Sequence, residues 1–166
     1  MFRGHSLPGS RGSRKRAEPL SLSLGPEFPS SGGTGRLGPM PVQFNHTIVA
    51  SRDPHASATF LAEVLGLPAP VRFGHFEVVA LENGVSLDYA HTPGDITPQH
   101  YAFLISEAEF DEVLARVKAR GLPIYAEPTG EGAGEINRHW GGRGFYFPDP
   151  NGHWLEVITR PYGSQG

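Results

Sequence analysis

Apolar and polar positions begin to alternate at residue 42, after a long stretch with no apolar periodicity. The period of two over residues 42–48 predicts a β-strand that includes one histidine. Asp53-Pro54 then supplies a helix N-cap and a first-turn proline, and an apolar stripe at helical spacing runs until Gly66. Two further apolar stretches are separated by Asn83-Gly84, which indicates a hairpin. The pattern therefore predicts a strand, a helix and a pair of strands.

The same order of elements repeats in the second half of the chain. His100–Ile105 has the pattern of a strand, and Ser106 with Glu109 forms a capping box that begins a second helix. Two apolar segments then flank residues 149–152, whose composition favours a turn. The segment 83–88 aligns without a gap on 151–156, so each half begins with a histidine-bearing strand and ends with a carboxylate-bearing one.

These patterns predict an α+β fold of two tandem βαβββ modules, at about residues 42–92 and 97–161, within one domain of residues 40–162. The spacing from histidine to carboxylate is 42 residues in the first half and 56 in the second. The extra length falls in the Gly-rich stretch 129–144, which we expect to be a lid or a substrate-facing loop. Residues 163–166 form a short tail.

Composition separates residues 1–39 from the rest. More than half of these residues are Gly, Pro or Ser, so we expect a disordered tail, because such a segment buries too little apolar surface to fold. Met40 is an alternative initiator, in which case the tail would be absent from the native protein. The tail carries a formal charge of +4, which leaves −7 for the remainder of a chain whose total is −3. This acidic remainder argues against a nucleic-acid partner.

The composition also limits the location of the protein and the kind of site it holds. No apolar run approaches the ~18 residues that span a bilayer, and the N-terminus lacks the order of a secretory signal. We therefore expect a cytoplasmic protein with no membrane partner. The chain has no cysteine, so any metal must be held by histidine, carboxylate or water.

Histidine and glutamate occur on strand faces that are otherwise apolar. His46 shares its face with Phe44 and Ile48, and Glu156 lies on a face with Trp154. A buried charge is costly unless it is paired or bound to a metal, although a hydrogen-bonded core histidine is the alternative for any single position. If the first and last strands of both halves converge, one divalent metal would gain two imidazoles and one or two carboxylates.

The motifs around these residues resemble the vicinal oxygen chelate superfamily, over residues 42 to about 161. The motifs are Phe44–Thr47, Gln99–Phe103 and the run Tyr146–Glu156, which contains Asp-Pro-Asn-Gly. The family includes glyoxalase I, extradiol dioxygenases, fosfomycin-resistance proteins and metal-free bleomycin-binding proteins. The resemblance implies a curled mixed sheet in which two modules form a cup, with one divalent metal ion (Fe, Zn, Ni or Mn) at its base.

This resemblance also implies the site residues. His46, His100 and Glu156 fall on metal-ligand positions, and Glu156 is the predicted catalytic residue. Asp88 falls near the fourth ligand of glyoxalase I, but it is one methylene shorter than glutamate, so a surface role is an equal alternative. The metal would act as a Lewis acid on neighbouring oxygens of a small substrate, in glyoxalase-like lyase or isomerase chemistry or in ring-cleaving dioxygenase chemistry.

Further residues are weaker candidates for contact with the substrate. They are Arg143, Phe145, Phe147, Trp154 and His139. Arg143 and the two phenylalanines share one strand parity, and if this parity faces the cup, the arginine could hold an anionic group, although a surface arginine is the alternative. Tyr146 has the opposite parity and is expected to pack outward. No function is assigned to His55, His75, His91 and His153.

Two alternatives to an enzyme remain open. One is a metal-free protein of the bleomycin-resistance type, which would sequester a drug or hydrophobic ligand on an aromatic lining. The other is a structural interaction domain, which would require the histidine and carboxylate positions to be exposed and far apart. Members of the family often form homodimers, so a homodimer is an open prediction.

Overall fold

The structure, a computed structural model, describes residues 42–164. The tail predicted to be disordered and the alternative initiator Met40 lie outside these residues. The elements of the described part are β1 His46–Ser51, α1 Pro54–Leu65, β2 Val71–Phe73, β3 Phe76–Ala80, β4 Ser86–His91, β5 His100–Leu104, α2 Glu107–Ala119, a short 3-10 helix His139–Gly141, β6 Gly144–Pro148 and β7 Trp154–Ile158. Within residues 42–164, no helix is both long and apolar enough to cross a membrane.

The first module is a four-stranded sheet with the order β1-β4-β3-β2. Strand β1 runs parallel to β4, and the other neighbouring strands are antiparallel. The predicted turn at Asn83-Gly84 joins β3 to β4, and Gly84 has φ +79°, in the left-handed region that favours glycine. In this strand order, β1 lies at one edge of the sheet.

The second module is a three-stranded sheet with the order β5-β7-β6, in which β5 is parallel and β6 antiparallel to β7. The additional strand predicted for this module is reduced to isolated bridges from Tyr125 to Ala133 and to Tyr146. Gly130, Gly132 and Gly134 all have positive φ, and this repeated turning of the chain prevents a longer ladder. The α+β fold of two tandem modules is confirmed, with a shorter second sheet.

Both helices begin where their sequence signals predict. Asp53 caps α1 by accepting a hydrogen bond from the backbone N–H of Ala56 at 3.0 Å, and Gly66 ends this helix with φ +75°. Ser106 and Glu109 form the predicted capping box of α2, in which each side chain accepts a hydrogen bond from the backbone N–H of the other residue.

One hydrophobic core joins the two modules. It lies between the helices and the sides of the sheets that face them, and its large buried side chains include Leu61, Tyr89, Phe110, Phe145 and Phe147. The helices also contact each other, and Arg120 of the second module donates a 2.9 Å hydrogen bond to Glu63 of the first. The helices are therefore one of the places at which the modules contact each other.

The other side of each sheet, which we call the open face, carries the predicted ligands. The open face of the first sheet includes His46 and Asp88, and that of the second includes His100 and Glu156. Strands β1 and β5, which carry the two histidines, both lie at sheet edges, and no ladder joins the two sheets within residues 42–164. Each histidine-bearing edge is thus open to further pairing or packing.

Candidate metal centre

The structure brings His100 and Glu156 together. Parallel pairing of β5 with β7 places Ala102 opposite Glu156, and His100 lies two residues earlier on the same face. The Nε2 atom of His100 lies 3.1 Å from Oε2 of Glu156. The glutamate side chain is 1% exposed, whereas that of the histidine is 43% exposed. A buried carboxylate is therefore joined to an imidazole that reaches the surface.

Two tyrosines complete the surroundings of this carboxylate. The hydroxyl of Tyr162 donates a short hydrogen bond to Oε2 of Glu156. Tyr146 is paired with Glu156 across the β6–β7 ladder, and its ring lies 5.6 Å from that of His100. Burial raises the pKa of both phenols, and the nearby Glu156 carboxylate raises each pKa further. Both hydroxyls thus keep their protons at neutral pH and can donate hydrogen bonds.

Tyr162 was not among the predicted site residues, and Tyr146 was set aside as outward-facing although the sequence held a signal for its position. In an antiparallel hairpin, residues equally distant from the turn face each other, and a turn centred near Asn151 places Tyr146 opposite Glu156. The prediction that Tyr146 packs outward is corrected, because it is 5% exposed and shares the face of Glu156. Tyr162 lies beyond the last strand, where no periodicity predicts its direction.

His46, the third predicted ligand, does not join the pair within one chain. Its ring Nδ1 lies 2.8 Å from Oδ1 of the adjacent Asn45, on the open face of the other sheet. Across residues 42–164, no three His, Asp or Glu side chains are grouped closely enough to hold a metal ion. The described residues therefore do not show the expected convergence, because no ladder joins the two sheets and His46 lies on the open face of the first.

Asp88, the candidate fourth ligand, is engaged with its own strand. It is paired with Ile48 of β1 and lies on the same face as His46. Its Oδ1 accepts a 2.7 Å hydrogen bond from the hydroxyl of Ser86, two residues earlier. The side chain is partly buried, so it is neither a free surface group nor in contact with a second ligand.

Arg143, Phe145 and Phe147 were candidates only on the condition that their shared strand parity faces the cup, and the structure does not meet this condition. Both phenylalanines are 0% exposed, and Phe145 packs edge-on against Phe110 of α2 with ring centroids 5.3 Å apart. These residues therefore face the helix rather than the open face. Apolar strand residues pack on the nearest helix. The alternation along β6 defines two faces, but it does not show which of them meets α2.

Arg143 is held by the acidic side of α2. Its guanidinium donates to Glu107 and to Asp111, both at 2.6 Å, and lies 4.2 Å from the ring centre of Phe110. Hydrogen bonds from Thr159 and Arg143 lower the pKa of the Glu107 carboxyl, and the hydrogen bond from Arg143 lowers the pKa of the Asp111 carboxyl. The guanidinium is therefore engaged by α2, so the condition set for its contact with an anionic substrate group is not met.

The other two candidates for substrate contact lie elsewhere. Trp154 is on the open face beside His100, and its ring packs edge-on against Tyr125 at 5.4 Å. His139 lies on the Gly-rich loop, where its Nε2 is 3.0 Å from a carboxylate oxygen of Glu127. Trp154 thus remains a candidate for substrate contact, whereas nothing in the described residues connects His139 with the His100–Glu156 pair.

His153 has a structural role that the sequence analysis did not predict. It is 0% exposed, and its Nδ1 accepts a 3.0 Å hydrogen bond from the backbone N–H of Gln99. Its Nε2 donates to the carbonyl of Ala50 at 2.8 Å, which links the turn before β7 to β1 of the first module. The adjacent Asn151 reinforces this link through a 2.9 Å hydrogen bond to Ser57 of α1.

The chemistry of the donor set fits a divalent metal. Among the ion pairs of residues 42–164, Glu156 is partnered by an imidazole and not by a lysine or arginine. A buried carboxylate without a permanent positive partner is costly in a protein interior, and a bound cation removes this cost. Imidazole and carboxylate together suit iron, zinc, nickel or manganese. The pair therefore offers two donor groups of the kind that such an ion binds.

Comparison with known proteins places this fold in a family. A family model described as the Glyoxalase/Bleomycin resistance protein/Dioxygenase superfamily matches residues 43–157. The glutathione transferase FosA of Serratia marcescens is 32% identical over 119 residues, which span 68% of this chain and 77% of that protein.

Two solved structures have a higher sequence identity to this chain than FosA has. The oxidase ChaP-H1 is 53% identical with a TM-score of 0.74, and the match covers 75% of this chain and 100% of ChaP-H1. The oxidase ChaP-H2 is 57% identical with a TM-score of 0.75, covering 76% of this chain and 100% of ChaP-H2. The resemblance seen in the motifs is confirmed: the chain belongs to the Glyoxalase/Bleomycin resistance protein/Dioxygenase superfamily.

Proposed function

We propose that this protein is a metal-dependent oxidase of a small molecule with two neighbouring oxygens, and that its metal centre forms between two copies of the chain. His46 of one copy would join His100 and Glu156 of the other. The observation that carries the proposal is the pairing of His100 with the buried Glu156, which is two-thirds of a ligand set of two histidines and one carboxylate.

The open faces support a centre shared between copies. Ile48 on the first sheet and Leu104 on the second are 57% and 59% exposed, and Phe44, just before β1, is 67% exposed. Burial of such apolar surface is favourable. In a symmetric dimer, the first module of one copy would cover the second module of the other, and vice versa. The same packing would bring one histidine to a site that already holds two ligands, so each copy supplies what the other lacks.

The proposed ion would supply Lewis acidity toward two substrate oxygens and, as iron(II), a binding position for dioxygen. The protein side chains have separate tasks. Glu156 is kept away from solvent, and the protonated Tyr146 and Tyr162 can donate hydrogen bonds beside it. Trp154 lines the open face next to His100 and would exclude water from one side of the substrate.

The reaction class is supported by the relatives. The two oxidases are more than half identical to this chain and are covered over their full length, whereas FosA is 32% identical. Oxidation is thus favoured over transfer of a thiol and over lyase or isomerase chemistry. The metal-free binding protein remains the competing hypothesis, and it does not require the imidazole–carboxylate pair.

The decisive test needs no substrate, because it counts bound metal. Chains with His46→Ala and chains with Glu156→Gln are given different affinity tags, co-expressed, and purified as heterodimers. In a shared centre, one of the two sites recovers all three ligands, so the heterodimer should bind one Fe(II) or Co(II) ion. Each homodimeric variant should bind none tightly.

A matched heterodimer provides the control. His100→Ala and Glu156→Gln remove ligands from the same module, so every site stays incomplete and no tight binding is expected. A wild-type protein that binds no metal would contradict the proposed function. A wild-type protein that binds metal as a monomer, with no recovery in the heterodimer, would contradict the shared centre. Electron paramagnetic resonance of the Fe(II) protein with nitric oxide would then show whether a position for dioxygen is open.

A further inference from the structure

The chain returns to the metal-ligand pair after its last strand. Residues Pro161–Ser164 form a turn in which the backbone N–H of Ser164 donates to the carbonyl of Pro161 at 3.2 Å. The Ser164 hydroxyl donates to the same carbonyl at 2.7 Å, and Gly163 has φ +75°. A glycine with positive φ at the third position is typical of a type II turn, so the backbone around Tyr162 is defined by local structure.

This turn directs Tyr162 at the carboxylate. The tyrosine is 59% exposed, yet its hydroxyl hydrogen-bonds to Oε2 of Glu156, which is 1% exposed. The same oxygen is the one that lies 3.1 Å from Nε2 of His100. Both hydrogen bonds therefore meet at one carboxylate oxygen, and together they restrict rotation of the carboxyl group.

We infer that Tyr162 is a positioning residue that orients the Glu156 carboxylate for metal binding, an inference that rests on the proposed function. Hydrogen bonds to a ligating carboxylate fix its direction before the ion arrives, which reduces the ordering that binding must impose. Tyr146 approaches from the neighbouring strand, whereas Tyr162 comes from a segment outside the sheet. The C-terminal turn thereby becomes part of the site.

Tyr162→Phe tests this role, because it removes one hydroxyl and keeps the ring. We expect Co(II) affinity to fall by roughly 10- to 100-fold, the usual effect of losing an outer partner of a metal ligand. The visible ligand-field bands of the bound Co(II) should also shift, because the carboxylate would coordinate differently. Both measurements are made on the full chain by titration and absorption spectroscopy, without a substrate.

Tyr101→Phe is the matched control. Tyr101 adjoins His100 on β5, but it faces the opposite side, where its ring packs edge-on against His153. Its loss of a hydroxyl should leave the Co(II) affinity and spectrum unchanged. A chain that ends at Pro161 provides a second variant, which should bind Co(II) at least as weakly as Tyr162→Phe.

The outcomes separate this inference from the proposed function. If wild-type protein binds Co(II) and both Tyr162 variants bind it with the same affinity and spectrum, the positioning role is overturned. If the wild-type protein binds no metal, the proposed function itself fails. Circular dichroism of the metal-free variants must match that of the wild type, so that a loss of fold is not mistaken for a loss of affinity.

Discussion

The two modules place a histidine and a carboxylate at the same strand register, but they use them differently. In each module the carboxylate is paired with the residue two positions after the histidine. His100 lies 3.1 Å from Glu156, whereas Asp88 accepts its hydrogen bond from Ser86 at 2.7 Å. The repeat thus provides two equivalent pairs of backbone positions, and in the second module they hold an imidazole–carboxylate pair.

Neighbouring positions account for the difference. Ser86, which binds Asp88, corresponds to Trp154, whose side chain has no hydroxyl to offer. Val78 lies across from Asp88 where Tyr146 lies across from Glu156. Aspartate is also one methylene shorter than glutamate. Equivalent strand register is therefore not enough for a histidine–carboxylate pair. The length of the acidic side chain and the hydrogen-bond donors around it determine whether the pair forms.

The largest effect is expected from the carboxylate of the second module. Glu156→Gln should lower metal affinity by at least about 100-fold, because a direct ligand matters more than outer partners that cost 10- to 100-fold. Asp88→Asn, at the equivalent register, should change the affinity by less than about 3-fold, below the range for an outer partner. Isothermal titration with Co(II) measures both, and similar losses in the two variants would contradict the contrast between modules.

The turns before β4 and β7 also have equivalent positions whose side chains lie in different surroundings. His153 corresponds to Val85 of the first module, but its side chain is fully buried and hydrogen-bonds to the first module through Ala50. His153→Phe should reduce the free energy of unfolding by about 2 kcal/mol, because it leaves the N–H of Gln99 and the carbonyl of Ala50 unpaired. Val85→Ala should cost less than about 1 kcal/mol, since its side chain is half-buried. Urea denaturation of the metal-free proteins measures both, and equal losses would refute the special role of the second turn.

Lengthening the acid of the first module should make the two halves more alike. Asp88→Glu adds the missing methylene and would allow a fourth ligand to reach the proposed centre beside His46. We expect metal affinity to rise about 10-fold, or about 1.4 kcal/mol, and nitric oxide binding to the Fe(II) protein to weaken as an open position is filled. Unchanged affinity would show that the neighbouring Ser86, rather than length, keeps this acid from the metal.

The smallest effect is expected where the modules are most alike, at the ends of their helices. Gly66 and Gly121 have φ +75° and +66°, so alanine at either position should cost about 1 kcal/mol. Gly66→Ala should cost slightly more, because its Cβ would lie 2.8 Å from Nη1 of Arg116, a contact that Gly121→Ala avoids. Thermal unfolding of both variants checks the order, and a stabilised variant at either position would contradict it.

Much of the architecture was predictable because its signals are local. The capping box of Ser106 and Glu109 and the turn at Asn83-Gly84 involve residues within a few positions of each other. The gapless alignment of the two final strands also predicted equivalent registers for Asp88 and Glu156, as observed. The direction of Arg143 was less accessible, because alternation defines two faces without telling which one meets a helix.

By itself, the sequence determined the two modules, the helix ends and the residues that could bind a metal, because these depend on periodicity and on side-chain chemistry. The tertiary structure decided which ligands meet. It joined His100 to Glu156 through β5 and β7, turned Tyr162 toward them, and left His46 on a separate edge. The physical reason is that the shared core and the hydrogen bonds between the modules set the positions of the sheets, and no local pattern encodes such long-range packing.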